Sequence, residues 1–288
     1  MAFRKRREAL RSILAGSACT RPGSVYDATS IRIAWDLGFE LGMFGGSVAS
    51  LAVLGDPDIA LITLTELAEQ MRRMSRAAEL PVLVDADHGY GNALNVRRTI
   101  EELETAGAAG LTIEDTLLPQ AFGQSGTQLI PLEEGVGKVK AALAARRDAS
   151  LVVIGRTGAV SITSLDDAIA RARAYQATGV DALFFTGIKT RTELEAIAAA
   201  TTLPIVLGGA PEDMSDPLYL ASQRVRIALQ GHAPFAAATQ AVYETLKALR
   251  EGLPPKALKG LASSELTGRV TREAEVRARS RDFLGLRN

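Results

Sequence analysis

Two aspartates one residue apart, in Val84-Asp85-Ala86-Asp87-His88-Gly89-Tyr90-Gly91, are the residues of this sequence best suited to chemistry. At the end of a strand, where side chains alternate, Asp85 and Asp87 would project to the same side. Carboxylates that close repel each other unless a proton or cation intervenes, and a divalent ion is the simplest compensation. The bland alternative is a pair of solvated loop aspartates. The paired glycines that follow let backbone approach a ligand closely. Further along stand Glu114-Asp115 and Gly155-Arg156-Thr157. An arginine emerging from a buried strand needs an anionic partner, either a substrate carboxylate or a structural ion pair with Glu114. Gly45-Gly46-Ser47 frees backbone N–H groups that can hold a developing oxyanion. His232, in Gln230-Gly231-His232, either contacts a carboxylate or is structural.

Composition narrows the choice of metal. The 288 residues include one cysteine, Cys19, and two histidines, His88 and His232. A thiolate or multi-histidine zinc site is therefore excluded, and carboxylates must hold any metal, which favours Mg2+ with Mn2+ as the alternative. Lysine plus arginine equals aspartate plus glutamate, 33 each, so no electrostatic footprint for nucleic acid is present. The basic run Phe3-Arg4-Lys5-Arg6-Arg7 reads as the solvated start of a helix. With no signal-peptide core and no membrane-spanning run, a cytoplasmic enzyme without a membrane partner is expected.

Strand ends must position these groups, and the sequence supplies them at regular intervals. Short apolar runs at 81–85, 110–114, 151–154, 181–184, 203–207 and 225–229 alternate with helical stretches at 93–106, 132–145, 164–177 and 190–200. Strands near 23–25 and 39–44 bring the total to eight, and a weak helix falls at 217–222. Regular alternation of buried strands and helices predicts a parallel sheet. Eight units without a Gly-x-Gly-x-x-Gly turn predict a single α/β domain, a (β/α)8 TIM-type barrel, over 1–288. A helix at 234–250 closes it, and a polar helical tail follows the Gly252-Leu253-Pro254-Pro255 break, from about residue 253.

Gly45-Gly46-Ser47-Val48-Ala49, the Asp85-to-Gly91 segment, Thr112-Ile113-Glu114-Asp115 and Arg156-Thr157 together resemble the isocitrate lyase and phosphoenolpyruvate mutase superfamily over nearly the whole chain. Gln230-Gly231-His232 looks most like its oxaloacetate decarboxylase branch. The resemblance implies that Asp85 is the magnesium ligand and that Gly46, Ser47, Arg156 and His232 bind substrate, with Ser47, Arg156 and His232 catalytic. It places Asp58, Asp87 and Glu114 around the metal, largely through waters. It also implies a C-terminal barrel helix swapped between subunits, in a homotetramer built as a dimer of dimers.

The reaction is chosen by what is absent. Lyases of this superfamily carry Pro-Lys-Lys/Arg-Cys-Gly-His after the fourth strand, where this chain reads Pro119-Gln120-Ala121-Phe122-Gly123-Gln124. Phe122 replaces the thiol and Gln124 the histidine, so the positioned acid that retro-aldol cleavage needs is missing. Mutases place an asparagine in this loop, and none occurs between Asp115 and Gly135. Magnesium-dependent decarboxylation of oxaloacetate to pyruvate and carbon dioxide, through a metal-stabilised enolate, is the expectation. The alternatives are a lyase or hydrolase of another 2-oxo dicarboxylate or substituted malate, or a non-catalytic metal-dependent diacid binder. Gly158 and Gly209 stand where relatives carry polar side chains, which leaves room for a larger diacid. The loop from 119 to 131, with Gly123 and Gly126, is able to close over the site.

Overall fold

The computed structural model describes residues 3–285. Its eight parallel strands are β1 (Gly23–Ser24), β2 (Gly42–Phe44), β3 (Val82–Asp85), β4 (Gly110–Glu114), β5 (Val152–Thr157), β6 (Ala182–Phe185), β7 (Ile205–Leu207) and β8 (Val225–Ala228). They pair in sequence order. The two edges are joined by a parallel bridge between Thr20 and Ile227, with Thr20 N–H donating to Arg226 O at 2.8 Å. This is the expected (β/α)8 architecture.

Alternation along each strand sorts side chains into two cores. Met43, Leu83, Ile154, Phe184, Val206 and Ile227 fill the barrel interior, joined by Leu10 and Leu14 of the first helix, Arg4–Ala15. Leu183, Phe185, Ile205 and Leu207 face the outer helices. The basic run does begin a helix, and Arg4 and Lys5 are exposed as expected, but its other two arginines are not. Arg6 and Arg7 are buried, because their guanidinium groups find carbonyl acceptors: Ser75 O at 2.7 Å for Arg6, and Ala108 O and Glu104 O at 3.1 and 2.6 Å for Arg7.

The second strand is shorter than its apolar run. Phe39 N–H bonds Ala34 O and closes the end of helix Ala28–Asp36, so pairing begins only at Gly42. Beyond β4, a parallel run gives way to a hairpin-like loop held by the Thr116–Leu129 bridge, with Phe122 fully exposed at its tip. Gln124 folds back so that its side-chain oxygen accepts from Ala121 N–H.

The chain forms two compact units, one ending at His232 and the other beginning at Ala233. The first holds all eight strands. In the second, the 18-residue helix Ala233–Arg250 has no buried residue among those described, and the helices Ser264–Val270 and Glu273–Leu284 follow it. No helix among the described residues is long and apolar enough to cross a membrane.

Candidate active site

The C-terminal ends of the strands carry the polar groups, and the parallel registers bring them side by side. Asp85 is paired with Thr112, and Glu114 with Arg156. The Asp85 carboxylate is held on both oxygens. Oδ1 accepts from Thr112 Oγ1 at 3.1 Å and from Asp87 N–H at 3.2 Å, while Oδ2 takes the Arg156 guanidinium. Arg156 Nε also lies 3.0 Å from Glu114 Oε2, and its Cζ lies 5.0 Å from the centre of the Phe184 ring. The ion pair with Glu114, one of the two readings of this arginine, is thus present within the protein.

Strand alternation does not explain how Asp87 reaches Asp85. β3 stops at Asp85, and Asp87 has φ 47°, in the left-handed region, within a turn where Gly89, Tyr90 and Gly91 also have positive φ. The turn folds Asp87 back over the strand end, and its Oδ2 is buried without a hydrogen-bond partner. Backbone held in such conformations concentrates at functional sites.

The Gly45-Gly46 pair acquires a clear steric reason. A Cβ at Gly46 would lie 2.5 Å from Asp87 Oδ1, and one at Gly45 would lie 2.7 and 2.8 Å from His232 Cε1 and Nε2. Only glycine lets the backbone just after β2 meet both side chains. Gly46 also starts the helix Gly46–Val53, whose first N–H groups have no acceptor within the helix. The half-buried Ser47 lies in that first turn. His232 is oriented by Ser24 at the end of β1, with Oγ 2.8 Å from Nδ1.

Electrostatics follow from this crowding. Burial, then the charges of Asp85, Glu114 and Asp58, raise the Asp87 carboxyl well above the usual carboxylate range. Glu114 is raised by burial, against the opposing pull of Arg156. Asp58, on an exposed segment, is raised by burial of its carboxyl and by Asp85, and so senses the same cluster. Burial lowers the His232 imidazole, opposed by Asp85 and Asp58. Asp115, beside Glu114 in sequence, turns away to meet Arg171 at 2.9 Å and Tyr175 Oη at 2.7 Å.

The donors at this site are carboxylate oxygens, the ligands that a hard divalent cation prefers. Asp85, Asp87, Glu114 and Asp58 gather around one arginine, and one buried carboxylate oxygen has no partner. No group of three protein ligands converges among the described residues. That combination suits a hard ion that keeps several waters and takes only one or two carboxylates, as magnesium does.

Sequence reasoning missed Thr112, Ser24 and Phe184, which orient Asp85, His232 and Arg156. Thr112 was legible in principle, because it lies two residues before Glu114 on the same face of β4. Gly158 and Gly209 turn out to differ. A Cβ at Gly158 would meet Ile162 Cδ1 at 3.0 Å and Thr186 Oγ1 at 3.1 Å, whereas one at Gly209 would meet nothing within 4 Å.

Comparison with known proteins gives consistent relatives. The family profile described as phosphoenolpyruvate phosphomutase matches residues 10–250. A Bradyrhizobium diazoefficiens protein named oxaloacetate decarboxylase is 80% identical over 287 residues, covering 100% of both chains. One of the same name from Rhodopseudomonas palustris (strain BisB5) is 75% identical, covering 100% of this chain and 99% of the relative. Among solved structures, oxaloacetate acetylhydrolase with the inhibitor 3,3-difluorooxalacetate superposes with a TM-score of 0.86 at 25% identity, covering 99% of this chain and 98% of that one. A phosphonopyruvate hydrolase complex with oxalate and Mg++ gives 0.85 at 27%, covering 97% and 99%.

Proposed function

This chain belongs to the phosphoenolpyruvate phosphomutase family, and on that premise we propose that it decarboxylates oxaloacetate to pyruvate and carbon dioxide with a bound divalent cation. Magnesium is the first choice and manganese the second. It is an enzyme of the decarboxylase type for which its relatives at 73–80% identity are named. The observation that carries the reading is a surplus of buried carboxylate over cation at the barrel mouth, with no titratable side chain in the 119–124 loop that follows β4. Such a site suits a reaction that asks for charge withdrawal and no positioned protein acid.

Asp85 would hold the cation, with Asp87, Glu114 and Asp58 around it through waters. When bound there, the cation supplies Lewis-acid withdrawal from the 2-oxo acid. The C3–C4 bond of oxaloacetate breaks, its electron pair moves towards the C2 oxygen, and carbon dioxide leaves. N–H groups of Gly46 and Ser47, at a helix N-terminus, face the oxygen on which charge develops. Ser47 and His232 bind substrate oxygens, with Ser24 fixing the His232 ring. Arg156, locked by Asp85, Glu114 and the Phe184 face, neutralises and orients the diacid. Water returns the proton to C3, since Phe122 and Gln124 offer none.

A cytoplasmic homotetramer, as a dimer of helix-swapped dimers, completes the proposal. Helix Ala233–Arg250 supports it, because Val242, Tyr243, Leu246 and Leu249 are exposed and need a covering surface. A second reading, cleavage or hydrolysis of another 2-oxo diacid, is favoured only by the open space at Gly209. Purified protein with Mg2+ should release pyruvate from oxaloacetate faster than Mg2+ alone, and EDTA should abolish the excess. No excess, with another 2-oxo diacid consumed, would move the assignment to the second reading.

A further inference from the structure

Thr186 follows β6, just past the run in which Ala182 and Phe184 face the barrel interior and Leu183 and Phe185 face the outer helices. Its N–H still donates to Thr157 O at 3.2 Å, which carries the strand ladder one residue further. By alternation its side chain continues the inward row, one layer above Phe184. The glycines on both sides confirm that placement. A Cβ at Gly208 on the β7 side would lie 2.7 Å from Thr186 Cγ2, and one at Gly158 on the β5 side would lie 3.1 Å from Thr186 Oγ1. Gly158 and Gly208 follow the inward-facing Arg156 and Val206 by two residues, so the three positions form one layer of the barrel mouth. The methyl group is on the β7 side, and the hydroxyl is turned towards β5, the strand that carries Arg156.

That hydroxyl is half-buried, and no protein group among the described residues takes it in a hydrogen bond. A half-buried hydroxyl without a partner, turned towards the strand that carries Arg156, is available as a donor. In an eight-stranded ring β6 lies opposite β2, where Gly46 and Ser47 sit, and β3, where Asp85 sits, is also on the far side. A diacid anchored by its 2-oxo-acid end near β2 and β3 must therefore extend its other end towards β5 and β6.

The geometry points to Thr186 as the specificity-determining residue for the distal carboxylate of the substrate, donating its hydroxyl to that group beside Arg156. Gly158 is then no loss of a substrate contact. Its missing side chain makes room for the hydroxyl that β6 supplies instead. The inference rests on the proposed 2-oxo-diacid substrate, and the experiment separates the two. Wild-type turnover of oxaloacetate tests the substrate. Calorimetric binding in the presence of Mg2+ tests Thr186, with two ligands that are compared on each variant: oxalate, which has no distal carboxylate, and 3,3-difluorooxaloacetate, which has one.

Thr186→Val keeps the shape and removes the hydroxyl. It should weaken 3,3-difluorooxaloacetate by about tenfold or more, the scale of a lost hydrogen bond to a charged group, and leave oxalate within about twofold. Thr186→Ser, which retains the hydroxyl, should recover most of the lost affinity, and the KM for oxaloacetate should follow the same order while kcat changes less. Equal weakening of both ligands, or no weakening of either, would overturn the assignment while wild-type turnover left the substrate reading intact. Wild-type protein that binds neither ligand and turns over no oxaloacetate would overturn both.

Discussion

Replacing Gly46 with alanine separates positioning from folding. Gly46 is in ordinary helical backbone, so alanine is not strained there, and at a helix start it should be neutral or stabilising by up to about 1 kcal/mol. The added Cβ would meet Asp87 Oδ1 at 2.5 Å, whereas ordinary contact begins at 3.4 Å, so the carboxylate must retreat by about 0.9 Å. Asp87 has little freedom to do this, because its left-handed backbone sits in a turn pinned by Gly89 and Gly91, against Val96 and Asn95. A misplacement of about 1 Å in a catalytic constellation costs about a hundredfold in rate, equivalent to roughly 2.7 kcal/mol of barrier. Pyruvate formation under saturating Mg2+ should show kcat/KM for Gly46→Ala reduced by about two orders of magnitude. Thermal unfolding should fall only modestly, because the helix propensity gained offsets part of a steric cost of about 1–3 kcal/mol. Activity within about threefold of wild type would refute the claim that close approach of the Gly46 backbone to Asp87 matters.

Two further perturbations probe the same cluster, and a third probes its border. Because Asp87 is raised in the folded state, that state holds a proton which the unfolded chain releases near its ordinary value, about 3.9. Its contribution to stability is present below that pH and is lost as pH rises towards the raised value, so metal-free wild type should lose urea resistance with rising pH more steeply than Asp87→Asn; parallel curves would contradict this. Arg156→Gln leaves Asp85 and Glu114 without their counter-charge, which should cost the metal-free protein about 3 kcal/mol and raise KM by about tenfold. Mg2+ affinity in that variant, read by calorimetry, should hold or strengthen, since a competing cation has gone, and its loss would be contrary. Asp115→Ala breaks the buried contact with Arg171 and Tyr175 and should cost about 3 kcal/mol in urea unfolding with kcat/KM unchanged in the folded protein; a catalytic defect there would move Asp115 into the site.

Most of the barrel was legible because its buried strands are short apolar runs separated by well-capped helices, as at Asn92 and Gly107 around helix Ala93–Ala106. The helices Ala28–Asp36, Gly46–Val53 and Leu64–Ala77 were not marked in advance. Around them β1 and β2 are only two and three residues long, too short for a pattern to stand out. At the site, Asp85, Glu114 and Arg156 stand out as charged residues at strand ends, and the parallel registers bring them side by side. What the sequence could not show was direction after a strand stops. Asp87 meets Asp85 through a left-handed turn and not through alternation, while Asp115 swings outwards although its neighbour Glu114 faces in. Thr186 does not stand out in the sequence, because the apolar run reads as ending at Phe184 and hydroxyl residues at loop starts are common. The two glycines that reveal it are informative only once their neighbours across the barrel are known.

The most direct test of the account compares wild type with Asp85→Ala in one experiment: pyruvate released from oxaloacetate at saturating Mg2+, with Mg2+ binding measured calorimetrically on the same preparations. The account predicts metal-dependent pyruvate release above the Mg2+ blank for wild type, and loss of both that excess and the Mg2+ binding in Asp85→Ala, with the variant still folded. Full magnesium-dependent activity in Asp85→Ala would contradict it.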